Sequence, residues 1–179
     1  MLFLAKKRVI PAVVLLAVFA VVGLVVRRWL PSPTPIAPDG TALGLGVFAA
    51  AVMLALDGLL HMLGVRWGGA PYARRLANLY ETFRGQTYAA AFAGALLAAG
   101  EEWIFRGLDD RAVPLALAAL VFGLCHYLPR AGWLFAVWAV WEGVVLASVV
   151  GMTGNLAVSM TAHGVHDLAG FLWFRRRLG

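Results

Sequence analysis

The chain has 179 residues, of which 62% are hydrophobic and 13% are charged, and its mean hydropathy is +0.83. Soluble domains hold about 45–50% apolar and about 25% charged residues, so this composition excludes an ordinary soluble domain and indicates an integral membrane protein. The net charge of +6 does not indicate nucleic-acid binding, because the arginines stand at the ends of apolar runs. The single cysteine, Cys125, excludes an internal disulfide and a cysteine-cluster metal site.

Six apolar runs predict an all-α membrane bundle of about six transmembrane helices, which we expect to form one domain over residues 1–179. The first run, Val9 to Val26, is too long for a signal peptide and has no A-x-A-like cleavage site after it, so we expect a retained helix. The Pro-rich segment 31–40 ends it, since proline cannot continue a helix. Later breaks fall at Pro129–Gly132 and Gly151–Asn155. The predicted spans are 9–26, 41–65, 86–108, 112–128, 133–151 and 154–174.

The distribution of basic residues predicts the orientation. With both termini in the cytoplasm, eleven basic residues lie on the cytoplasmic side, and three (Arg27, Arg28 and Arg111) lie opposite. This asymmetry follows the positive-inside rule, so we expect cytoplasmic termini. The eleven are Lys6, Lys7, Arg8, Arg66, Arg74, Arg75, Arg84, Arg130, Arg175, Arg176 and Arg177.

The connection between the second and third spans, residues 67–85, has two interpretations. Pro71 can open a helix, and an apolar stripe at helical spacing would then face the membrane interface. The alternative is a basic loop that only maintains the topology. The stripe consists of Tyr72, Leu76, Leu79 and Phe83.

The stretch GEEWIFRG, residues 100–107, places three charged side chains inside the third predicted span. Intramembrane ionisable residues are costly and indicate a functional site. Glu102 and Arg106 are four residues apart, so they share a helix face and can pair. Glu101 lies about 100° away around the helix and is not so easily neutralised. We therefore expect Glu101 to be a general base and Glu102–Arg106 a structural pair.

Further polar residues stand in the other spans. His126 follows Phe122 by one turn, and His163 and Asp167 are also spaced to touch, whereas His166 points partly elsewhere. A carboxylate that orients a histidine is common in active sites, but the same spacing also satisfies a buried polar pair. We expect Asp57 and His61 to pair with each other, and Glu142 to pair with Arg106 or a histidine.

Three motifs stand in order on successive apolar helices. EEWIFR matches E-E-x-x-x-R, FGLCH matches F-x-x-x-H, and HGVHD matches H-x-x-x-N/D. In this order they resemble the CPBP family of glutamic intramembrane proteases, which includes CAAX prenyl endopeptidases and bacteriocin-processing proteins. The resemblance covers about residues 86–170. Compact bacterial members of the myxosortase type are similar in size and motif order.

The resemblance implies hydrolysis of a peptide bond in the membrane without a metal or other cofactor. Glu101 and His126 would activate the water, and His163 and Asp167 would stabilise the oxyanion. Glu102, Arg106 and Phe122 would support the site. Because Asp167 replaces the usual Asn, we expect it to orient His163. The implied partners are the lipid bilayer of a bacterial inner membrane and a peptide or protein substrate cut near the membrane in a C-terminal tail, leader or sorting segment.

Other functions remain open at this point. Glu101, His126 and His163 could bind zinc in a metalloprotease, and the chain could instead be a non-catalytic immunity or scaffold protein, or an ion pathway. A catalytic role also requires that Glu101 and His126 lie close together. Straight helices would leave Glu101 and His126 about 10 Å apart in depth, so a tilted, broken or re-entrant segment must bring them together.

Overall fold

The computed structural model describes residues 34–107, 115–128 and 133–178, with five isolated positions between 17 and 28. This part of the chain folds into helices and contains no strand, which confirms the all-α prediction for it. The predicted span 9–26, apart from four helical positions, and the turn at 129–132 lie outside the described residues. The helices are α1 (Gly40–Trp67), α2 (Gly69–Phe83), α3 (Tyr88–Phe105), α4 (Leu115–Cys125), α5 (Trp133–Thr153) and α6 (Leu156–Leu178).

Side-chain caps set where three helices begin. The carboxylate of Asp39 accepts a hydrogen bond from the Ala42 amide at the start of α1, and Thr87 does the same for α3. Asn155 Oδ1 accepts from the Ala157 amide at 3.0 Å and starts α6. The preceding residue, Gly154, has φ +61°, a left-handed conformation that favours glycine and reverses the chain between α5 and α6. The predicted break at 151–155 is therefore a tight turn.

The 67–85 connection is a helix, so the helical interpretation is the correct one of the two. In α2, Leu79 and Phe83 are buried and Tyr72 and Leu76 are half-buried, while the arginines at 74 and 75 are exposed. This division of faces is that of an amphipathic helix whose apolar stripe packs on the bundle.

Helix α6 packs along both α1 and α3, and α4 packs on α5. Small residues allow the close approach: α3 buries Ala91, Gly94 and Ala95, and a Cβ added to Gly46 of α1 would collide with Thr161 of α6. Tight packing through small residues is typical of helix pairs in membranes. It places the polar residues of α6 directly against the carboxylates of α3.

Two polar contacts show how α3 and α6 run relative to each other. At one end, Arg175 donates to the carbonyl of Gln86 at 3.0 Å and its guanidinium lies 3.8 Å from the Tyr88 ring. Toward the other end, His163 Nδ1 of α6 lies 2.9 Å from Glu102 Oε1 in the last turn of α3. Helices α3 and α6 are therefore antiparallel, as the predicted topology requires. The cytoplasmic placement of the termini stays a prediction.

Two of the described helices, α1 and α5, are long and apolar enough to cross a membrane. Their surfaces carry large exposed apolar side chains, such as Phe48 (69% exposed), Met62 (62%) and Val137 (60%). The described part of helix α4, Leu115–Cys125, ends three residues before the predicted span 112–128 does. His126 lies just beyond its end.

Candidate active site

Glu102 is fully buried and joins α3 to α6. Its Oε1 atom accepts from Arg106 Nη1 at 2.5 Å and lies 2.9 Å from His163 Nδ1. The predicted Glu102–Arg106 pair is therefore present, and it has a third member that the sequence did not indicate. Because an unpaired charge is costly in a low-dielectric interior, each of the three groups depends on the others for its burial.

Arg106 links the end of α3 to two further helices. Its Nη2 atom donates to the carbonyl of Gly143 in α5 at 3.1 Å, and its guanidinium carbon lies 4.5 Å from the ring centroid of Phe122 in α4. A guanidinium over an aromatic face is a favourable cation–π contact. Arg106 therefore holds α3, α4 and α5 in a fixed arrangement.

Glu101 and His126 meet, as the catalytic interpretation requires. Glu101 Oε2 lies 3.6 Å from His126 Nε2. The other ring nitrogen, Nδ1, lies 2.7 Å from the carbonyl oxygen of Phe122 and must donate to it. In the neutral ring, Nε2 then presents a lone pair toward the Glu101 carboxylate. Two acceptors that face each other can both be satisfied by a water molecule that donates to each.

Phe122 is the packing residue of the site. It is fully buried, and its ring centroid lies 4.3 Å from that of His126 and 5.5 Å from that of His163. Together with its contact to Arg106, this position limits the rotation of both imidazole rings. Phe122 thus contacts the two motif histidines.

The hydrogen-bond partner of His163 is Glu102 and not the predicted Asp167. Asp167 Oδ1 lies 3.9 Å from His163 Nε2, too far for a hydrogen bond, whereas it lies 3.1 Å from His166 Nδ1. Glu102 is the carboxylate that orients His163. The i, i+4 spacing placed His163 and Asp167 on one face, but the contact across helices to Glu102 and the local contact to His166 have the better geometry.

A second polar group lies beside the motif residues, and the sequence did not indicate it. His166 Nε2 lies 2.7 Å from Asp57 Oδ2 and 4.0 Å from Glu142 Oε1. The predicted pairing of Asp57 with His61 is wrong, since His61 Nδ1 bonds to the Tyr72 hydroxyl at 3.1 Å. For Glu142, the histidine is the neighbour and Arg106 is not. The signal in the sequence was that Asp57 and Glu142 each stand alone as an acid in an otherwise apolar span. The spacing of residues along one helix cannot show which residue of another helix is the partner.

A cavity of about 470 Å³ brings the two groups together. His126, His163 and Asp167 line it, but Glu101 does not and reaches the site through His126. Seven phenylalanine, tyrosine and tryptophan side chains from α2, α5 and α6 contribute to the remaining wall. The lining is Leu54, Asp57, Gly58, His61, Leu76, Tyr80, Phe83, His126, Phe135, Trp138, Glu142, His163, His166, Asp167, Ala169, Gly170, Phe171, Trp173 and Phe174.

The possible ligand sets for a metal differ from the one considered from sequence. Glu101, His126 and His163 do not form a group whose ligand atoms lie close enough to share one ion. Among the described residues, the group that does converge is Asp57, Glu142 and His166, with its ligand atoms all within 4.8 Å of one another.

Comparison with known proteins relates this geometry to a family. The family model described as Type II CAAX prenyl endopeptidase Rce1-like matches residues 83–169. The match covers just under half of the chain, and residues 83–169 are similar to the Rce1-like family. The matched range holds all three motifs and confirms the resemblance to the CPBP family. Rce1-like proteins are integral membrane proteases that hydrolyse peptide bonds.

One curated protein is also similar to part of the chain. The uncharacterized protein YpbD of Bacillus subtilis (strain 168) is 34% identical over 76 residues, which are 42% of this chain and 40% of that protein. The matched part of the chain thus spans two-fifths of the length of this relative. No solved structure matches the chain. Asp57, in α1, lies outside the Rce1-like match, although its carboxylate contacts His166 inside it.

Proposed function

We propose that this chain is a glutamic-type intramembrane endopeptidase that cuts a peptide bond close to the membrane. The observation that carries the proposal is the pair formed by Glu101 and His126, whose Oε2 and Nε2 atoms face each other at 3.6 Å. The Rce1-like match and the exposed apolar surfaces of α1 and α5 support a multi-pass protein of the bacterial inner membrane.

Water activation follows from the two facing acceptors. A water molecule that donates to both Glu101 and His126 is oriented with its oxygen lone pairs free. The carboxylate of Glu101 takes a proton as the water oxygen attacks the carbonyl carbon of the peptide bond. The proton then passes to the leaving amine as the carbon–nitrogen bond breaks, so Glu101 returns to its starting state.

Stabilisation of the oxyanion is assigned to His163, with Asp167 beside it. Glu102 holds the Nδ1 side of the ring, so a doubly protonated His163 would present Nε2–H toward the cavity. A charged donor aimed at the developing oxyanion is worth several kcal/mol, typically about 2.7–4 kcal/mol per donor in acyl transfer. Asp167 lies 3.9 Å from that nitrogen and stabilises its positive charge.

The substrate class is inferred from the shape and position of the cavity. Its aromatic wall includes Tyr80 and Phe83 of α2 and Phe171 and Phe174 of α6, which suits an extended apolar segment. With the predicted orientation, α2 lies at the cytoplasmic face. We therefore propose that a C-terminal tail, leader or sorting segment enters from this side and is cut near the membrane surface.

The test compares protein termini in bacterial membranes that contain the wild-type chain or the Glu101→Gln variant. We expect new membrane-proximal termini with the wild type, reduced about 10²–10⁴-fold in the variant, which is the usual contribution of a positioned acid–base group. Glu81→Gln is the matched control, because Glu81 is exposed and its ion-pair partner among the described residues is the exposed Arg84, just past the end of α2. The same termini at the same level in Glu101→Gln would instead support a scaffold or immunity protein.

A further inference from the structure

Three ligand-type side chains from three helices converge beside the motif residues. Asp57 lies on α1, Glu142 on α5 and His166 on α6, and all three line the central cavity. Their carboxylate oxygens and imidazole nitrogen lie within 4.8 Å of one another. Neither Asp57 nor Glu142 belongs to the motifs, and Asp57 lies outside the family match.

Outer hydrogen bonds orient two of the three ligands. Asp167 Oδ1, 3.1 Å from His166 Nδ1, holds a proton on that nitrogen. Nε2 lies 2.7 Å from Asp57 Oδ2, so the two atoms share a proton, and a cation that displaces this proton would find the Nε2 lone pair directed toward both acids. Trp141 Nε1 donates to Asp57 Oδ1 at 3.3 Å and leaves Oδ2 toward His166. In metal sites, a carboxylate commonly accepts a hydrogen bond from the ligating histidine, and a donor commonly binds the ligating carboxylate. These outer hydrogen bonds fix the orientation of the ligands.

The group has an excess of negative charge. Three carboxylates, those of Asp57, Glu142 and Asp167, surround His166, and within the described residues no arginine or lysine forms an ion pair with any of them. Asp167 is buried, lines the cavity, and its Oδ2 atom has no hydrogen-bond partner among the described residues. Asp167 is buried and Asp57 and Glu142 are half-buried, so a single protonated His166 does not balance the three carboxylates, and further bound protons or a cation must neutralise the rest.

We propose that Asp57, Glu142 and His166 bind one divalent first-row transition-metal cation, such as Zn²⁺. Two carboxylate oxygens and one imidazole nitrogen form a ligand set that suits zinc, and cavity water completes the coordination. The cation would join α1, α5 and α6 next to the peptidase site. Because Glu101 and His126 are not ligands, this proposal stands independently of the proposed proteolysis.

The test uses the full chain purified in detergent and freed of metal by chelation. Zn²⁺ is titrated calorimetrically, and Co²⁺ is used as a coloured substitute whose absorption reports the coordination. We expect one Zn²⁺ per chain. Asp57→Asn, Glu142→Gln and His166→Gln should each weaken binding by at least about 100-fold, since even an outer partner contributes about 10–100-fold. Asp167→Asn tests that outer contribution.

Control variants keep the result specific. His61→Gln lies one turn from Asp57 on the same helix and lines the same cavity, and it should bind Zn²⁺ with unchanged affinity. Zn²⁺ should raise the melting temperature of the wild type and of His61→Gln, but not that of Glu142→Gln. This second measurement identifies any variant that simply fails to fold.

Four outcomes would overturn the proposal. The first is the absence of saturable binding. The second is equal affinity in all variants, which indicates adventitious sites. The third is binding that is lost in Glu101→Gln and His126→Gln but kept in Glu142→Gln, which moves the metal to the motif residues. The fourth is stabilisation by an arginine-containing peptide but not by Zn²⁺, which assigns the group to a cationic substrate side chain.

Discussion

His126 Nδ1 lies 2.7 Å from the carbonyl oxygen of Phe122, one turn earlier in the chain. Because a carbonyl can only accept, this contact determines which ring nitrogen carries the proton in the neutral histidine. Nε2 is then the basic atom, and it is the atom that faces Glu101. A backbone group at the end of α4 thus selects the tautomer that the proposed water activation needs.

The first prediction concerns this tautomer. In protein labelled with ¹⁵N histidine and held in detergent, we expect the ring of His126 to carry its neutral-form proton on Nδ1. Nitrogen–proton correlation spectra distinguish the two tautomers, and the His126→Gln variant assigns the signal. A ring with its proton on Nε2 would contradict the contact and would leave Glu101 paired with a donor.

The second prediction concerns Phe122. Phe122→Leu should lower kcat with little change in KM, because the ring contacts both His126 and His163 and touches no substrate in the proposed reaction. Phe122→Ala should in addition destabilise the fold by about 3–5 kcal/mol through the cavity it leaves. Melting in detergent and cleavage assays measure the two effects. Leu120→Ala, an exposed change on the same helix, is the control. An unchanged kcat in Phe122→Leu would show that the ring serves packing alone.

Contacts that depend on spacing within one helix were predictable from the sequence. Glu102 and Arg106 form their pair because four residues along an α-helix return to one face. The stripe of α2 packs inward for the same reason. The meeting of Glu101 with His126 was required by the chemistry, and α4 ends at Cys125, so that His126 lies just past the helix and not within it.

Contacts between helices were not predictable in the same way. Glu102 rather than Asp167 orients His163, and His166 bonds to Asp57, more than a hundred residues away. A single sequence carries no record of which helices are neighbours, so periodicity assigns a face but not the group opposite it. The wrong prediction for Asp57 and His61 has this cause. The two residues are spaced to pair within one helix, but His61 instead bonds to Tyr72 and Asp57 to His166, both on other helices.

The third prediction concerns metal removal. Since Glu101 and His126 are not ligands of the proposed cation, exhaustive chelation should lower the melting temperature but leave the turnover rate of the folded protein unchanged. Turnover is measured well below the melting temperature, with Zn²⁺ restored as a control. Loss of turnover that Zn²⁺ restores would favour the zinc-dependent protease.

The fourth prediction concerns pH and the contact between α1 and α2. Burial, together with the neighbouring Tyr80, raises the pKa of Tyr72 above its ordinary value. A raised folded pKa means that this stabilising contribution is complete below the unfolded pKa of about 10 and is lost as pH rises through the folded value. Tyr72→Phe should therefore flatten the loss of stability above pH 10, as measured by melting in detergent. Tyr127→Phe, an exposed tyrosine, should not.

The last prediction separates the two adjacent carboxylates. Glu102 is fully buried and supports both Arg106 and His163, whereas the contact of Glu101 within the described part of the chain is the longer one to His126. Removing one partner of a buried ion pair typically costs about 3–5 kcal/mol, because the other charge stays uncompensated. We therefore expect Glu102→Ala and Arg106→Ala to lower the melting temperature strongly, while Glu101→Ala leaves it unchanged or raises it, since active-site groups often cost stability.

The double variant adds a test of the pairing itself. If Glu102 and Arg106 stabilise the fold through each other, removing both should cost less than the sum of the single losses, because no unpaired charge is left between them. His163 would still lose its partner, so the double variant should remain less stable than the wild type and nearly inactive. Glu101→Gln should instead be stable and inactive. The opposite pattern, a stable, inactive Glu102→Ala beside an unstable Glu101→Ala, would exchange the two roles and make Glu102 the base.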